Sequence, residues 1–158
     1  MSTTAQSCPF CHTDIQKAVF AESPNGLALY NIAPILPGHS LIVPRLHYPR
    51  ISDIPDDIWA ELMDFSRQIS AFLMQVFQAD GSDWTIQDVW SAGQTVPHVH
   101  LHLIPRHLGD FPEPGDWYPR FEQMQSDAVT QARVRLTEGE QHRIVAQLSL
   151  WARDFGFS

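Results

Sequence analysis

Apolar positions along the chain follow two rhythms, and the rhythms divide it into elements. Ala18 to Glu22 and Leu27 to Ile32 are short apolar runs rich in β-compatible residues, with Ser23-Pro24-Asn25-Gly26 between them. Asn-Gly between two such runs signals a hairpin. Leu36-Pro37-Gly38 breaks the chain before a third run, His39 to Val43, which Pro44 ends. The three predict an antiparallel meander. A helical rhythm follows: Ile58, Leu62, Phe65, Ile69, Phe72, Leu73 and Val76 recur at three- and four-residue intervals as far as Phe77. Pro55, Asp56 and Asp57 suit the first turn of this helix, where proline loses no bond and carboxylates meet the positive end of the dipole. Ala79-Asp80-Gly81 is expected to stop it. Trp84 to Val89 predicts a fourth strand, Ser91-Ala92-Gly93 a turn, and His98 to Ile104 a fifth strand stopped by Pro105. Gly109 to Gly115 reads as a loop. Thr137-Glu138-Gly139-Glu140 resembles a capping box opening a second helix, with Ile144, Val145, Leu148 and Trp151 along one side.

Separate runs of strand and helix point to an α+β fold. No linker or repeat divides the chain, so residues 1–158 are read as one domain. Hydrophobic residues make up 44% and charged residues 18%, which is enough to bury a core. The net charge of −8 argues against a nucleic-acid partner, because phosphate backbones need a basic surface. A small anion remains compatible, since backbone amides bind phosphate inside acidic proteins. No apolar run reaches the roughly 20 residues of a membrane span, and residues 1–7 lack the features of a signal peptide. A cytoplasmic location is expected. Cys8 and Cys11 are the only cysteines; a disulfide, a metal site, redox chemistry and a merely packed pair all fit their spacing.

The densest chemistry lies in His98-Val99-His100-Leu101-His102. Alternate residues of a strand share a face, so the three histidines form a row while Val99, Leu101 and Leu103 point into a core. An exposed polar face, a metal site and catalysis on phosphate are the three readings. The flanking residues bear on the choice. Gly93-Gln94-Thr95-Val96 leads into the row, offering a glycine turn with backbone N–H groups and a hydroxyl for phosphate oxygens.

Asn31-x-x-Pro-x-x-Pro-Gly-His39, followed by Gly93-Gln94-Thr95-Val96-x-His98-x-His100-x-His102, resembles the histidine triad family over roughly residues 8–111. Gln87-Asp88 and Gly109-Asp110-Phe111 lean toward its fragile-histidine-triad branch, whose members cleave dinucleoside polyphosphates. The resemblance implies a five-stranded antiparallel sheet with a long helix packed on it, a C-terminal helix in the extension 112–158, and a homodimer. It implies that His100 is the nucleophile and forms a nucleotidyl-histidine. His102 contacts the α-phosphate, and Gln87 sits near the bridging oxygen of the leaving polyphosphate. Gly93, Gln94, Thr95 and Val96 cradle phosphate, Asn31 binds ribose, and His39 supports the cluster. Family members with an N-terminal Cys-x-x-Cys imply a structural Zn²⁺ held by Cys8, Cys11, His47 and His98. Mg²⁺ shielding the polyphosphate is compatible with this scheme, although no carboxylate cage is evident for it.

Two features depart from the family pattern. Val89-Trp90 stands where a glycine usually follows Gln-Asp, and Pro97 directly precedes the row. A nucleoside phosphoramidase, a nucleotide-binding signalling module and a protein whose triad only holds zinc are the alternatives. His12, His107 and His142 lack a partner pattern and read as surface residues. Arg106 meets either a distal phosphate or a surface carboxylate. Trp117, Tyr118 and Phe121 are aromatic candidates for packing or base stacking.

Overall fold

A computed structural model describes residues 7–111 and 135–157. Five strands form one antiparallel sheet: β1 (Val19–Glu22), β2 (Gly26–Tyr30), β3 (Ser40–Pro44), β4 (Gly81–Ile86) and β5 (Leu101–Arg106). Their spatial order is β1-β2-β3-β5-β4, so the meander is as expected and β5 inserts beside β3. Two α-helices, α1 (Asp56–Phe77) and α2 (Glu138–Phe155), and three short 3-10 helices complete the described fold. None of its helices is long and apolar enough to cross a membrane.

The apolar stripe of α1 explains where that helix lies. Leu62, Phe65, Ile69, Phe72 and Leu73 are buried with Val99, Leu101 and Leu103 from β5 and its approach. Val145, Leu148 and Ala152 of α2 join the same cluster, so both helices cover one face of the sheet. Thr137 caps α2 as its sequence predicts: Thr137 Oγ1 accepts from the Glu140 N–H, and the Glu140 carboxylate accepts from the Thr137 N–H at 2.8 Å. The opposite face is covered by the N-terminal segment, whose Phe10, Ile15 and Ala18 pack on Leu27, Leu29, Leu41 and Val43.

Several boundaries differ from their sequence expectation. Gln78 ends α1 in the left-handed conformation, with its N–H bonded back to the helix, and β4 already begins at Gly81. The fourth strand thus lies earlier than Trp84–Val89, and Gln87 and Asp88 leave the ladder. The β5 ladder begins at Leu101 and continues through Pro105 to Arg106. Pro105 lies beyond the β3 pairing, which starts with Ser40 opposite Leu103, so β4 alone flanks it and the strand tolerates a proline there. The β1–β2 turn also differs: neither Asn25 nor Gly26 has positive φ. Gly26 is needed for close approach, since a Cβ there would come within 2.9 Å of Leu62 on α1.

Arg106 is settled by its neighbours. Its guanidinium pairs with Asp83 across the β4–β5 ladder and with both oxygens of Asp110, and stacks over the Phe111 ring. Arg106 holds the Asp110 carboxyl down to about 2. The carboxylate reading of Arg106 stands, then, in place of the distal-phosphate one. Trp117, Tyr118, Phe121 and most of the Gly109–Gly115 loop lie outside the described residues.

Candidate active site

The row of histidines forms although its first two members precede the ladder. The chain enters β5 extended, steadied by the Val99 N–H donating to the Tyr48 carbonyl at 2.7 Å. His98, His100 and His102 are all buried, at 0%, 6% and 8% exposure. Adjacent rings of the row sit 5.1 Å apart between His100 and His102.

Backbone carbonyls decide which nitrogen of each ring carries hydrogen. His98 Nε2 donates to the Pro44 carbonyl at 2.9 Å, which leaves Nδ1 as a lone pair facing Cys8 and Cys11. His100 Nδ1 donates to the His98 carbonyl at 2.8 Å, so its Nε2 is an unprotonated lone pair. Burial lowers the His100 pKa below the usual histidine range, with the His98 carbonyl pulling the other way. Burial likewise pushes His98 down to about 4, with the Pro44 carbonyl pulling the other way. Both rings are therefore neutral near pH 7.

His102 takes the opposite tautomer through a relay. The Ile35 N–H donates to His39 Nδ1 at 3.1 Å, so His39 must carry its hydrogen on Nε2. That Nε2–H lies 2.9 Å from His102 Nδ1 and donates to it, leaving His102 with an N–H at Nε2. Neighbouring rings thus offer a lone pair and a donor. Such a pair suits a phosphorus centre and the oxygens around it. Asn31 Nδ2 lies 3.3 Å from the same His39 nitrogen, and Asn31 Oδ1 accepts from the Ala33 N–H.

The loop after β4 brings the remaining candidates close. Thr85 is the register partner of His102, and Gln87 follows just beyond the last pair of the ladder, Ile86 with Leu101. Gln87 Nε2 donates to Thr85 Oγ1 at 3.2 Å. Gln94 is buried, and its amide clamps the loop: Oε1 accepts from the Val89 N–H at 2.9 Å while Nε2 donates to the Pro49 carbonyl at 3.0 Å. The N–H groups of Gly93 and Gln94 bond within the turn, to Trp90 and Val89. Thr95 is exposed and Val96 half-buried at its end. Gly93 turns with φ of 95°, a conformation that favours glycine. Val89 has φ 64° and ψ 166°, a region nearly reserved for glycine. The Gln94 clamp holds this strained residue in place.

Cys8, Cys11, His47 and His98 converge on one point. Their ligand atoms all lie within 4.8 Å of one another, as a four-coordinate metal requires. Burial, together with the Cys8 thiol beside it, pushes Cys11 up to about 11. A cation reverses that penalty, because thiolate ligands are held deprotonated. The chemistry of the donor set therefore fits a thiophilic divalent ion. Among the described residues, no other group of three or more His, Cys, Asp or Glu meets this test.

Two residues of the site escape sequence reading. Phe10, between the two cysteines, packs its ring on His98 at 5.7 Å and on His100 at 5.3 Å. Its position inside Cys-x-x-Cys was a usable signal, because tying those cysteines to His98 forces it against the row. Thr85 carried no signal until the β4–β5 register was known. A cavity of about 770 Å³ adjoins the row rather than containing it. Phe10, Leu29, Asn31 and Leu41 line it on the sheet side, and Glu138, Gly139, Gln141 and His142 line it on the α2 side. His142 is exposed, as its sequence suggests, and also lines this cavity.

An α+β fold with a buried row of backbone-set histidines at the centre of its sheet defines a site of the triad type. The chain belongs to the HIT domain family, which it matches over residues 12–109. A bis(5'-nucleosyl)-tetraphosphatase [asymmetrical] of Schizosaccharomyces pombe is 36% identical over 121 residues, covering 77% of this chain and 66% of that protein. A bis(5'-adenosyl)-triphosphatase of Dictyostelium discoideum is 37% identical over 107 residues, covering 68% of this chain and 72% of the relative. The crystal structure of a Zn-bound histidine triad family protein from Mycobacterium smegmatis superposes with a TM-score of 0.69 at 24% identity. It covers 96% of this chain and 99% of that one, and supports the fold.

Replacing Gln94 with Ala strands the Val89 N–H and the Pro49 carbonyl. Gln94→Ala should lose about 1–3 kcal/mol in urea unfolding. An unchanged midpoint would show that the amide does not hold the loop.

Proposed function

We propose that this chain hydrolyses dinucleoside polyphosphates at the α-phosphate through a nucleotidyl intermediate on His100. The observation that carries the reading is the tautomer pair: a lone pair on His100 Nε2 beside an N–H on His102 Nε2. The names of the fungal and amoebal relatives support the substrate class.

In the first step, His100 Nε2 forms a bond to the α-phosphorus, and the bond to the bridging oxygen breaks. The electron pair departs with the leaving nucleoside polyphosphate. The His98 carbonyl accepts from Nδ1–H throughout and stabilises the positive charge that grows on the ring. The His102 N–H offsets charge on a non-bridging oxygen. Gln87, just past the end of β4, donates toward the bridging oxygen, and Thr95 contacts the phosphate at the end of the glycine turn. Gln94 contributes by holding that turn. In the second step, water bonds to phosphorus, the P–N bond breaks, and a proton is released with the nucleoside monophosphate. Mg²⁺ is assigned to the substrate's polyphosphate.

Cys8, Cys11, His47 and His98 are the residues that would hold Zn²⁺. Filling all four positions with protein ligands makes the ion a structural tie between the N-terminal segment and the histidine row. His98 meets this role with its other nitrogen on the Pro44 carbonyl, an arrangement that orients a ligating imidazole. A homodimer is the expected assembly, with β4 at the sheet edge as its route for joining two sheets.

Two measurements check these readings. Quenched incubation with diadenosine tetraphosphate should show a nucleotidyl adduct on the peptide carrying His100, and His100→Asn should lower turnover by at least about 10⁴-fold. Turnover without that adduct, or a variant that retains it, contradicts the mechanism. Native mass spectrometry should show two chains carrying two zinc ions. A metal-free single chain refutes both assignments.

A further inference from the structure

The turn between β4 and the histidine row is tied down from several sides, yet it displays a bare indole. The Asp88 carboxylate accepts from the Ile51 N–H at 3.1 Å, and the Gln94 amide accepts from the Val89 N–H and donates to the Pro49 carbonyl. These bonds hold Val89 in its strained conformation, and strain of this kind clusters at functional sites. The next residue, Trp90, is 79% exposed. Arg50 stands beside the turn with a largely exposed side chain, its guanidinium 3.9 Å from Asp88.

We infer that Trp90 and Arg50 form a subsite for the leaving half of the substrate. Arg50 meets the phosphates beyond the scissile bond, and Trp90 stacks on the second nucleobase. The inference rests on the hydrolysis reading above and names residues that select a substrate with two nucleosides over one with a single nucleoside.

Sheet order decides the direction. β5 carries the row between β3 and β4. The large cavity lies toward β3, since Leu41 on β3 and Leu29 on β2 line it. The polyphosphate of the leaving half has no place there. Asp14 and Glu138 line the cavity, and its one lysine, Lys17, is paired with Asp14 at 3.0 Å. The β4 side is the other exit. Gln87 begins the turn on that side, and the Gly93 N–H donates to the Trp90 carbonyl at 3.0 Å. Trp90 is therefore a single 3-10 turn, roughly 6 Å, from the glycine of the phosphate turn.

Both side chains suit this role. The Arg50–Asp88 separation is longer than a hydrogen bond, so a phosphate oxygen competes readily for the guanidinium. An exposed indole gains by covering its face with a flat heterocycle, and stacking reads that face whichever base is present. The anchored turn presents the ring already ordered, which reduces the entropy lost on binding.

Calorimetric titration of full-length His100→Asn with diadenosine tetraphosphate and adenosine 5'-tetraphosphate tests the subsite, because the ligands differ by the second nucleoside. The parent should bind the dinucleotide about tenfold more tightly; Trp90→Ala should bring the two within about twofold, and Trp90→Phe should keep most of the preference. Arg50→Gln should weaken both ligands by about fivefold and leave their ratio in place. Trp90 is exposed, so its alanine variant removes no core packing. A ratio in Trp90→Ala that matches the parent's, or affinities unmoved in Arg50→Gln, overturns the inference. The outcome is separable from the catalytic proposal. A His100 adduct in the unsubstituted chain with an indifferent Trp90 removes only the subsite. A preference that depends on Trp90 without any adduct keeps the subsite and removes the hydrolysis.

Discussion

The arrangement depends on one hydrogen bond, from His100 Nδ1 to the carbonyl of His98, at 2.8 Å. It joins two residues only two apart in sequence, but both are buried and neither can rearrange alone. The bond fixes which nitrogen of His100 is bare. It also links the ring to whatever holds His98: the Pro44 carbonyl on one side and the two cysteines on the other. A metal-type cluster and the proposed nucleophile are thereby built from the same short stretch of backbone.

Opposite tautomers on neighbouring rings are what make the row useful. His100 is set directly by a carbonyl, while His102 is set at second hand by the Ile35 N–H acting through His39. The low dielectric around His100 keeps it neutral and strengthens each of these contacts. Water would scramble the tautomers; burial does not. The Gln94 clamp and the strained Val89 belong to the same economy of fixed geometry, since they shape the turn that delivers the chain into the row.

Much of this was legible in the sequence because it is local. The period of α1, the Thr137-to-Glu140 cap and the His-x-His-x-His spacing are all properties of a few adjacent residues, and the structure reproduces each. Features that need tertiary partners were not legible. The clamping role of Gln94 is hidden until Val89 and Pro49 are seen to bond its amide. Arg106 keeps two readings until Asp83 and Asp110 take its guanidinium. The early start of β4 reflects a left-handed Gln78, a position that sequence would assign to a glycine or asparagine. His142 becomes informative only once α2 is placed beside the N-terminal segment.

The central claim is that the backbone presets His100 as a neutral ring with Nδ1 protonated and Nε2 bare. Nitrogen-15 NMR of the histidine side chains near pH 7 reads this directly. The account predicts a protonated Nδ1 and an unprotonated Nε2 for His100, and the reverse for His102. A proton on His100 Nε2, or an imidazolium there at that pH, would contradict it.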